Sequence, residues 1–255
     1  MQKQAQRVDD LEIQVWGDGA PAVLVHGSIN TGDECWQGQR PLAERGFRLL
    51  VPNRRGYGEC AAVVGEDFLV DAADVAALLG EGAHLVGQSY GGIAALLAAA
   101  QRPEAVRSLT VVEPPAFGLA AQHPAVADLV RRLTVLIGSQ DLDDRTFLEH
   151  FLTEVGAPVA EIPEELLDHW SDQVWVVRRG RFPDAAQIPV SILREAPFPK
   201  LVVSGGHHPA FDAVCDELER GLGADRVEIT GAGHEVQMVV EPFNAALLDL
   251  WSRQN

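Results

Sequence analysis

Cysteine is scarce and basic residues are outnumbered, and each shortage removes a class of function. The 255 residues hold 3 Cys. Cys35, Cys60 and Cys215 form an odd set without C-x-x-C spacing, so neither a disulfide framework nor a zinc site is indicated, and buried or incidental thiols are expected. Lys plus Arg number 20 against 37 Asp plus Glu, a formal charge of -17. A phosphate backbone or an anionic membrane is repelled by such a surface, so no nucleic acid and no membrane partner is expected. Long apolar runs are missing too: the longest, Ile93–Ala100 (IAALLAAA), is far too short to span a bilayer, and MQKQAQRVDD has no apolar segment after its basic residue. A soluble, unsecreted, cytoplasmic protein is expected, with no internal repeat or low-complexity segment.

What is present is an alternation of short β-rich apolar runs with helical stretches, the pattern of an α/β fold with a mostly parallel sheet covered by helices on both faces. Strands are predicted at Leu11–Trp16, Ala22–His26, Phe47–Pro52, Ala83–Gln88, Val106–Val112, Lys200–Ser204 and Arg226–Thr230. Helices are predicted at Asp67–Leu79, Gly91–Ala100, Ala210–Leu222 and Pro242–Arg253, the last with Phe243, Leu247, Leu248 and Trp251 on one face. Between about Pro115 and Pro197 the rhythm changes to amphipathic runs punctuated by Pro158, Pro163, Pro183 and Pro189. Two segments, 1–114 and 198–255, are therefore expected to form one core, and 115–197 a helical cap or lid inserted over one end of the sheet.

The densest chemical signal is AHLVGQSYGGIAALLAAA, residues 83–100. Its G-x-S-x-G motif, Gly87, Gln88, Ser89, Tyr90 and Gly91, follows an apolar strand and precedes an alanine-rich helix. A nucleophile elbow needs small residues around the serine because the strand-to-helix turn is sharp and its central residue strained. The geometry puts the hydroxyl at a helix N-terminus, where backbone N–H groups and the helix dipole favour a developing oxyanion. A second match is His26-Gly27-Ser28 after the strand AVLV, in a loop running to Trp36. The backbone N–H groups of Ser28 and Tyr90 are placed to form an oxyanion hole, and His26 reads as a structural brace. The general base is assigned to His234, in VEITGAGHEVQ, where glycines let the imidazole reach back over the sheet edge.

HGS at 26–28, PNRRGYGEC at 52–60, GQSYGG at 87–92, GAGH at 231–234 and the closing EPFNAALLDLW at 241–251 match one family in sequence and order. Across nearly its whole length the chain resembles the α/β-hydrolase-fold superfamily. The resemblance implies a cofactor-free hydrolase core with a variable cap between the sixth and seventh strands.

One part of the family pattern is missing. In many relatives the seventh strand ends in a turn bearing the triad aspartate, whereas here LVVSGGHHP places His207 and His208 there. Asp212 falls at a helix start, where it reads as a favourable N-terminal charge, and Asp67 is a further alternative. The sixth strand offers Glu113, in SLTVVEPPAF, at a strand end closed by two prolines. A carboxylate in that setting is costly without a partner, and His234 supplies one: Glu113 is positioned to fix the imidazole tautomer and stabilise the imidazolium. Some α/β-hydrolases, among them lactone hydrolases of the zearalenone-cleaving type, carry a similar glutamate. The other reading of Glu113 is a local cap or salt bridge at the cap's mouth.

Adjacent histidines in an extended turn point apart, and no carboxylate or cysteine cluster flanks His207 and His208 at ligand spacing, so no metal is expected. They either line the pocket or bind the surroundings of Glu113, and are assigned with Trp36, Trp170 and Trp175 to the substrate pocket. Phe147 and Phe151 join the cap tryptophans as its core or its active-site face, biasing the pocket toward apolar groups. His123, His150 and His169 are read as surface or interface residues. The expected chemistry is acyl transfer to water from a small carboxylic ester or lactone through Ser89, with no cofactor. A serine nucleophile argues against the alkyl-enzyme chemistry of dehalogenases and epoxide hydrolases. Open alternatives are a C–C hydrolase, a perhydrolase, and a ligand-binding or biosynthetic protein on the same scaffold.

Overall fold

The computed structural model describes residues 4–8, 11–60, 63–231 and 233–253. Eight strands, β1 (Gln4–Val8), β2 (Leu11–Trp16), β3 (Ala20–Val25), β4 (Phe47–Pro52), β5 (Ala83–Gln88), β6 (Val106–Val112), β7 (Lys200–Ser204) and β8 (Asp225–Glu228), form one sheet in the order β1-β2-β4-β3-β5-β6-β7-β8. β1 with β2 and β2 with β4 are antiparallel, and every other pair is parallel. Helices α1 (Gly32–Trp36), α2 (Phe68–Leu78), α3 (Ser89–Gln101), α9 (Pro209–Leu222) and α10 (Val240–Ser252) belong to the layers around it. Between β6 and β7 lie α4 (Pro124–Gly138), α5 (Asp144–Glu154), α6 (Glu164–Ser171), α7 (Val174–Arg178) and α8 (Val190–Glu195), with no strand among the described residues of that stretch.

The central strands are apolar on both faces because both are covered: Ala22, Val23, Leu24 and Val25 of β3 are all buried. Each such Val or Leu contributes about 1.5–3 kcal/mol relative to exposure. α3 is apolar all round for the same reason, and its alanines let it lie close against β5 and β6 and alongside α2. α2 starts where Asp67 accepts the Leu69 N–H at 2.9 Å.

Strand ends differ from expectation by a residue or two: β3 stops at Val25 before His26, and β8 ends at Glu228. β1 was not expected, since QAQRV is short and polar; its pairing with β2 makes it a sheet edge. Register matters most for the site. Val25 pairs with Gly87, Gly87 with Val111, and Val112 with Val203. The residues that follow β3, β5, β6 and β7 therefore emerge side by side at the carboxyl edge of the sheet, where ligands of open α/β sheets bind.

Candidate active site

Among the described residues, three other than glycine have positive φ, Ile29 (79°), Ser89 (49°) and Glu113 (42°), and all three stand at this edge. Backbone strain of this kind costs roughly 1–3 kcal/mol per residue and persists only where surrounding structure enforces it. At Ser89 the enforcement is the turn from β5 into α3. A Cβ on Gly87 would come within 2.5 Å of the Gly91 carbonyl oxygen, and one on Gly91 within 2.2 Å of the His26 carbonyl oxygen. Ser89 is thereby the first residue of α3 and Tyr90 the second, where N–H groups have no intrahelical acceptor.

The His234 Nε2 lies 2.9 Å from Ser89 Oγ, and its Nδ1 lies 2.7 Å from Glu113 Oε2. The second Glu113 oxygen accepts the Gly205 N–H at 2.6 Å. The turn that lacks an acid thus contributes a backbone donor to hold one. A Cβ on Gly205 would approach His207 Nδ1 to 2.9 Å and Glu113 Oε1 to 3.4 Å, so a glycine there leaves room for both side chains. Glu113 is fully buried, which alone would raise its pKa, but the neighbouring His207 and His234 outweigh burial and hold it at about 2. Gln88 Nε2 donates to the His234 carbonyl at 3.3 Å, and the Phe211 ring packs on the imidazole with centroids 4.4 Å apart.

The Ser28 loop is braced from below. His26 Nε2 accepts the Arg54 N–H at 2.9 Å and its Nδ1 faces the Gly27 carbonyl at 2.7 Å. Burial, then the Arg54 charge, lowers its pKa and keeps the ring neutral. The Arg54 guanidinium binds the His26 and Gly27 carbonyls, Asp71 at 2.7 Å and Glu66 at 2.9 Å, with Tyr57 and Tyr90 rings on it. Tyr57 donates its hydroxyl to Glu66 at 3.0 Å and accepts the Ile29 N–H at 3.3 Å. Ile29 itself forms a tight three-residue turn, the Asn30 N–H donating to the Ser28 carbonyl at 3.1 Å. Arg54, Tyr57, Glu66 and Asp71 were assigned no role in the sequence reading. The available signal was Arg54 and Tyr57 inside NRRGYG, with acids in the following GEDFLVD.

Two cavities meet at Ser89. One, of about 480 Å³, is walled by Pro115, Phe117, Phe151, Phe182 and Phe211, with Glu66 and Arg181 its charged residues. The other is a wider cleft of about 1040 Å³ bounded by Ile29, Asn30, Trp170, His234 and the acids Glu161 and Glu235. Ser28, Ser89, Phe151 and Val155 border both.

Four expected pocket residues do not line these cavities. Trp36 is fully buried and stacks on Phe243 with centroids 6.3 Å apart, because α1 packs into the core. His207 turns away, its Nδ1 3.3 Å from Glu113 Oε1 and its Nε2 3.2 Å from the Val155 carbonyl. Burial lowers its pKa, but the Glu113 carboxylate and that carbonyl outweigh it and the net shift is upward. His208 accepts the Ala210 N–H at 3.2 Å and caps α9. Trp175, on α7, borders neither cavity, whereas Trp170 does. Asp212 stands in the first turn of α9 with Arg226 3.8 Å away. Glu113, His207 and His234 offer ligand atoms within 4.8 Å of one another, but their nitrogens and oxygens are already directed at each other, at Ser89 and at Gly205.

Residues 22–249 match the Alpha/beta hydrolase family. Among curated proteins, pimeloyl-[acyl-carrier protein] methyl ester esterase of Aeromonas hydrophila is 29% identical over 63% of this chain, and the match spans 64% of that protein's length, just under two thirds. Among solved structures, an esterase of Rhodococcus sp. ECU1013 aligns over 98% of both chains with a TM-score of 0.72 at 21% identity. An N-acyl homoserine lactone degrading enzyme aligns over 96% of this chain and 99% of its own with a TM-score of 0.70 at 23% identity. At those identities the structural likeness speaks to the fold, and the sequence match carries the membership: this chain belongs to the alpha/beta hydrolase family.

Proposed function

We propose that the protein is a serine hydrolase that cleaves a small, largely apolar carboxylic ester or lactone through an acyl-enzyme. The observation that carries this reading is the unbroken chain of contacts from Ser89 through His234 to Glu113, at 2.9 and 2.7 Å. Ser89 Oγ attacks the carbonyl carbon while His234 Nε2 takes the hydroxyl proton, and Glu113 holds the imidazole in the tautomer that leaves Nε2 free to accept. The negative oxygen is received by the N–H groups of Ser28 and Tyr90. His234 then gives its proton to the leaving alcohol, and the same residues run the second half with water as the nucleophile, releasing the acid.

The two cavities divide the substrate. His234 borders the wider cleft and not the smaller, apolar cavity, so the leaving group that it protonates occupies the cleft and the acyl group the apolar cavity. The helical segment 115–197 acts as a cap that forms one wall of both, through Phe151 and Val155 of α5 and its C-terminus. The Aeromonas relative is named for an ester on an acyl carrier; here a net charge of -17 disfavours docking of a phosphate-bearing carrier, and a free ester is favoured.

The test is pre-steady-state hydrolysis of 4-nitrophenyl butanoate with mass spectrometry of the quenched protein. A burst of 4-nitrophenol with the butanoyl group on the peptide bearing Ser89, and loss of both in Ser89→Ala, is expected. Retained turnover in Ser89→Ala overturns the assignment of the nucleophile, and a wild type inert to linear esters and lactones overturns the hydrolase reading in favour of a binding or non-hydrolytic role.

A further inference from the structure

Glu66 is the one acid on the wall of the acyl cavity, 4% exposed, and the mechanism above gives it no task. Its two oxygens are unequally used. Oε2 receives Arg54 NH2 at 2.9 Å, the Tyr57 hydroxyl at 3.0 Å and half of the Ser28 hydroxyl at 3.0 Å. Oε1 receives only the other half of that Ser28 hydroxyl, also at 3.0 Å, and no other donor of the described residues reaches it. A carboxylate oxygen carries two lone pairs, so Oε1 has acceptor capacity left on a residue that lines the cavity.

We propose, resting on the ester-hydrolase reading, that Glu66 is a specificity-determining residue: Oε1 accepts a hydrogen bond from a hydroxyl on the acyl group, so the preferred substrate is a hydroxy-acid ester, and acyl groups ending in a carboxylate are rejected. Ser28 ties the two ends together, since its N–H faces the developing oxyanion and its hydroxyl binds Glu66. The hydroxyl that fits is thus one carried close to the reacting carbonyl. The rest of the wall is mostly apolar. Pro115, Phe117 and Phe182 have no side-chain acceptors, and Arg181 is committed to Asp67 through Nε and NH2 at 2.9 Å each. An ammonium, with three donors to satisfy, finds one acceptor there and is left largely desolvated. A carboxylate meets a like charge, and the cation of the wall, Arg181, is already paired with Asp67. Arg54 and Tyr57 pin Glu66 from behind, which makes it a preorganised acceptor.

The experiment compares kcat/KM for 4-nitrophenyl esters of butanoic, 3-hydroxybutanoic and succinic acids in wild type, Glu66→Gln and Ser28→Ala. Ratios between substrates within one protein cancel differences in active fraction. Wild type is expected to prefer the hydroxy ester over butanoate by about tenfold or more, the scale of a hydrogen bond to a charged group, and to work worst on succinate. In Glu66→Gln the amide oxygen must take the place facing Arg54 and Tyr57, which turns the amide NH2 toward Ser28 and the cavity. The preference for the hydroxy ester should fall severalfold, because the neutral amide N–H can only donate to the hydroxyl oxygen in place of a charged acceptor, and succinate should gain. Ser28→Ala keeps its backbone N–H and removes the competing donor at Oε1, so the preference should grow. In parallel, Ser89→Ala is titrated calorimetrically with methyl butanoate and methyl 3-hydroxybutanoate, and the hydroxy ester should bind more tightly. Turnover of all esters without a hydroxyl preference, or a preference unchanged in Glu66→Gln, overturns the role of Glu66 while leaving the hydrolase. No turnover by wild type together with tighter binding of the hydroxy ester overturns the hydrolase reading and keeps the Glu66 site. If Glu66→Gln fails to fold, a preference that does not grow in Ser28→Ala overturns the proposal.

Discussion

Glu113 concentrates the chemistry of this site in one buried charge. Burial favours its neutral form, and His207 and His234 reverse that, holding it at about 2. An unfolded glutamate titrates near 4.3, so the folded protein holds this proton less readily than the unfolded chain does. The resulting stabilisation, about 3 kcal/mol, is complete above roughly pH 4.3 and lost as the pH falls toward 2. Wild type should therefore lose urea resistance between pH 5 and pH 3 more steeply than Glu113→Gln; parallel slopes would show that Glu113 has no such linkage. The same variant should lose about two to four decades of kcat, as acid members of triads do. Asp212→Asn, altering a first-turn charge of α9, should stay near wild type. The convergence of Ser89, His234 and Glu113 is readable from the sequence because each is announced by backbone-restricting neighbours: glycines at the elbow, glycines before the histidine, prolines after the glutamate. His207 and His208 were misread as pocket residues because side-chain direction at a turn depends on what the next element does. One is recruited by a carboxylate from another strand and the other by the N–H groups of its own helix.

At the scale of elements, the sharp turn into α3 places Ser89, and glycine is required there by contact rather than by habit. Gly91→Ala puts a Cβ 2.2 Å from the His26 carbonyl oxygen, a backbone atom that cannot swing aside, and should destabilise by more than about 2 kcal/mol or prevent folding. Gly138→Ala, at the end of α4, meets nothing within 4 Å and should be neutral or stabilising by up to about 1 kcal/mol. Thermal denaturation of the two variants checks the contrast, and equal Tm shifts would show that the elbow has room to relax. The parallel strands and their helices were legible because their composition repeats the same physical demand, burial on both faces. The edge strand β1 was not, since a polar five-residue strand depends on its pairing with β2 and leaves no periodic trace. The strand-free character of residues 115–197 was legible from their prolines and amphipathic runs. How α7 meets the core was not: the Glu66 N–H donates to the Val176 carbonyl at 3.1 Å and the Arg181 N–H to the Glu66 carbonyl at 2.7 Å, backbone bonds that no side-chain pattern encodes.

Over the whole molecule, the net charge of -17, with Glu161 on the wider cleft, sets a negative field that an approaching substrate must cross. Surface charges act over about a Debye length, roughly 10 Å at 0.1 M salt and 3 Å at 1 M, whereas a buried group in direct contact is screened far less. Salt therefore separates the two obstacles to an anionic ester. Raising NaCl from about 0.01 M to about 0.5 M should increase kcat/KM for 4-nitrophenyl hydrogen succinate several-fold while leaving 4-nitrophenyl butanoate nearly flat, because only the first substrate feels the long-range field. What salt does not recover is the short-range part: at high salt succinate should still lag butanoate in wild type, and that residual lag should shrink in Glu66→Gln. A flat salt response for succinate would mean that the molecule's charge does not reach the cleft. A lag abolished by salt alone would mean that Glu66, neutralised by the Arg54 behind it, has no direct hand in refusing anions.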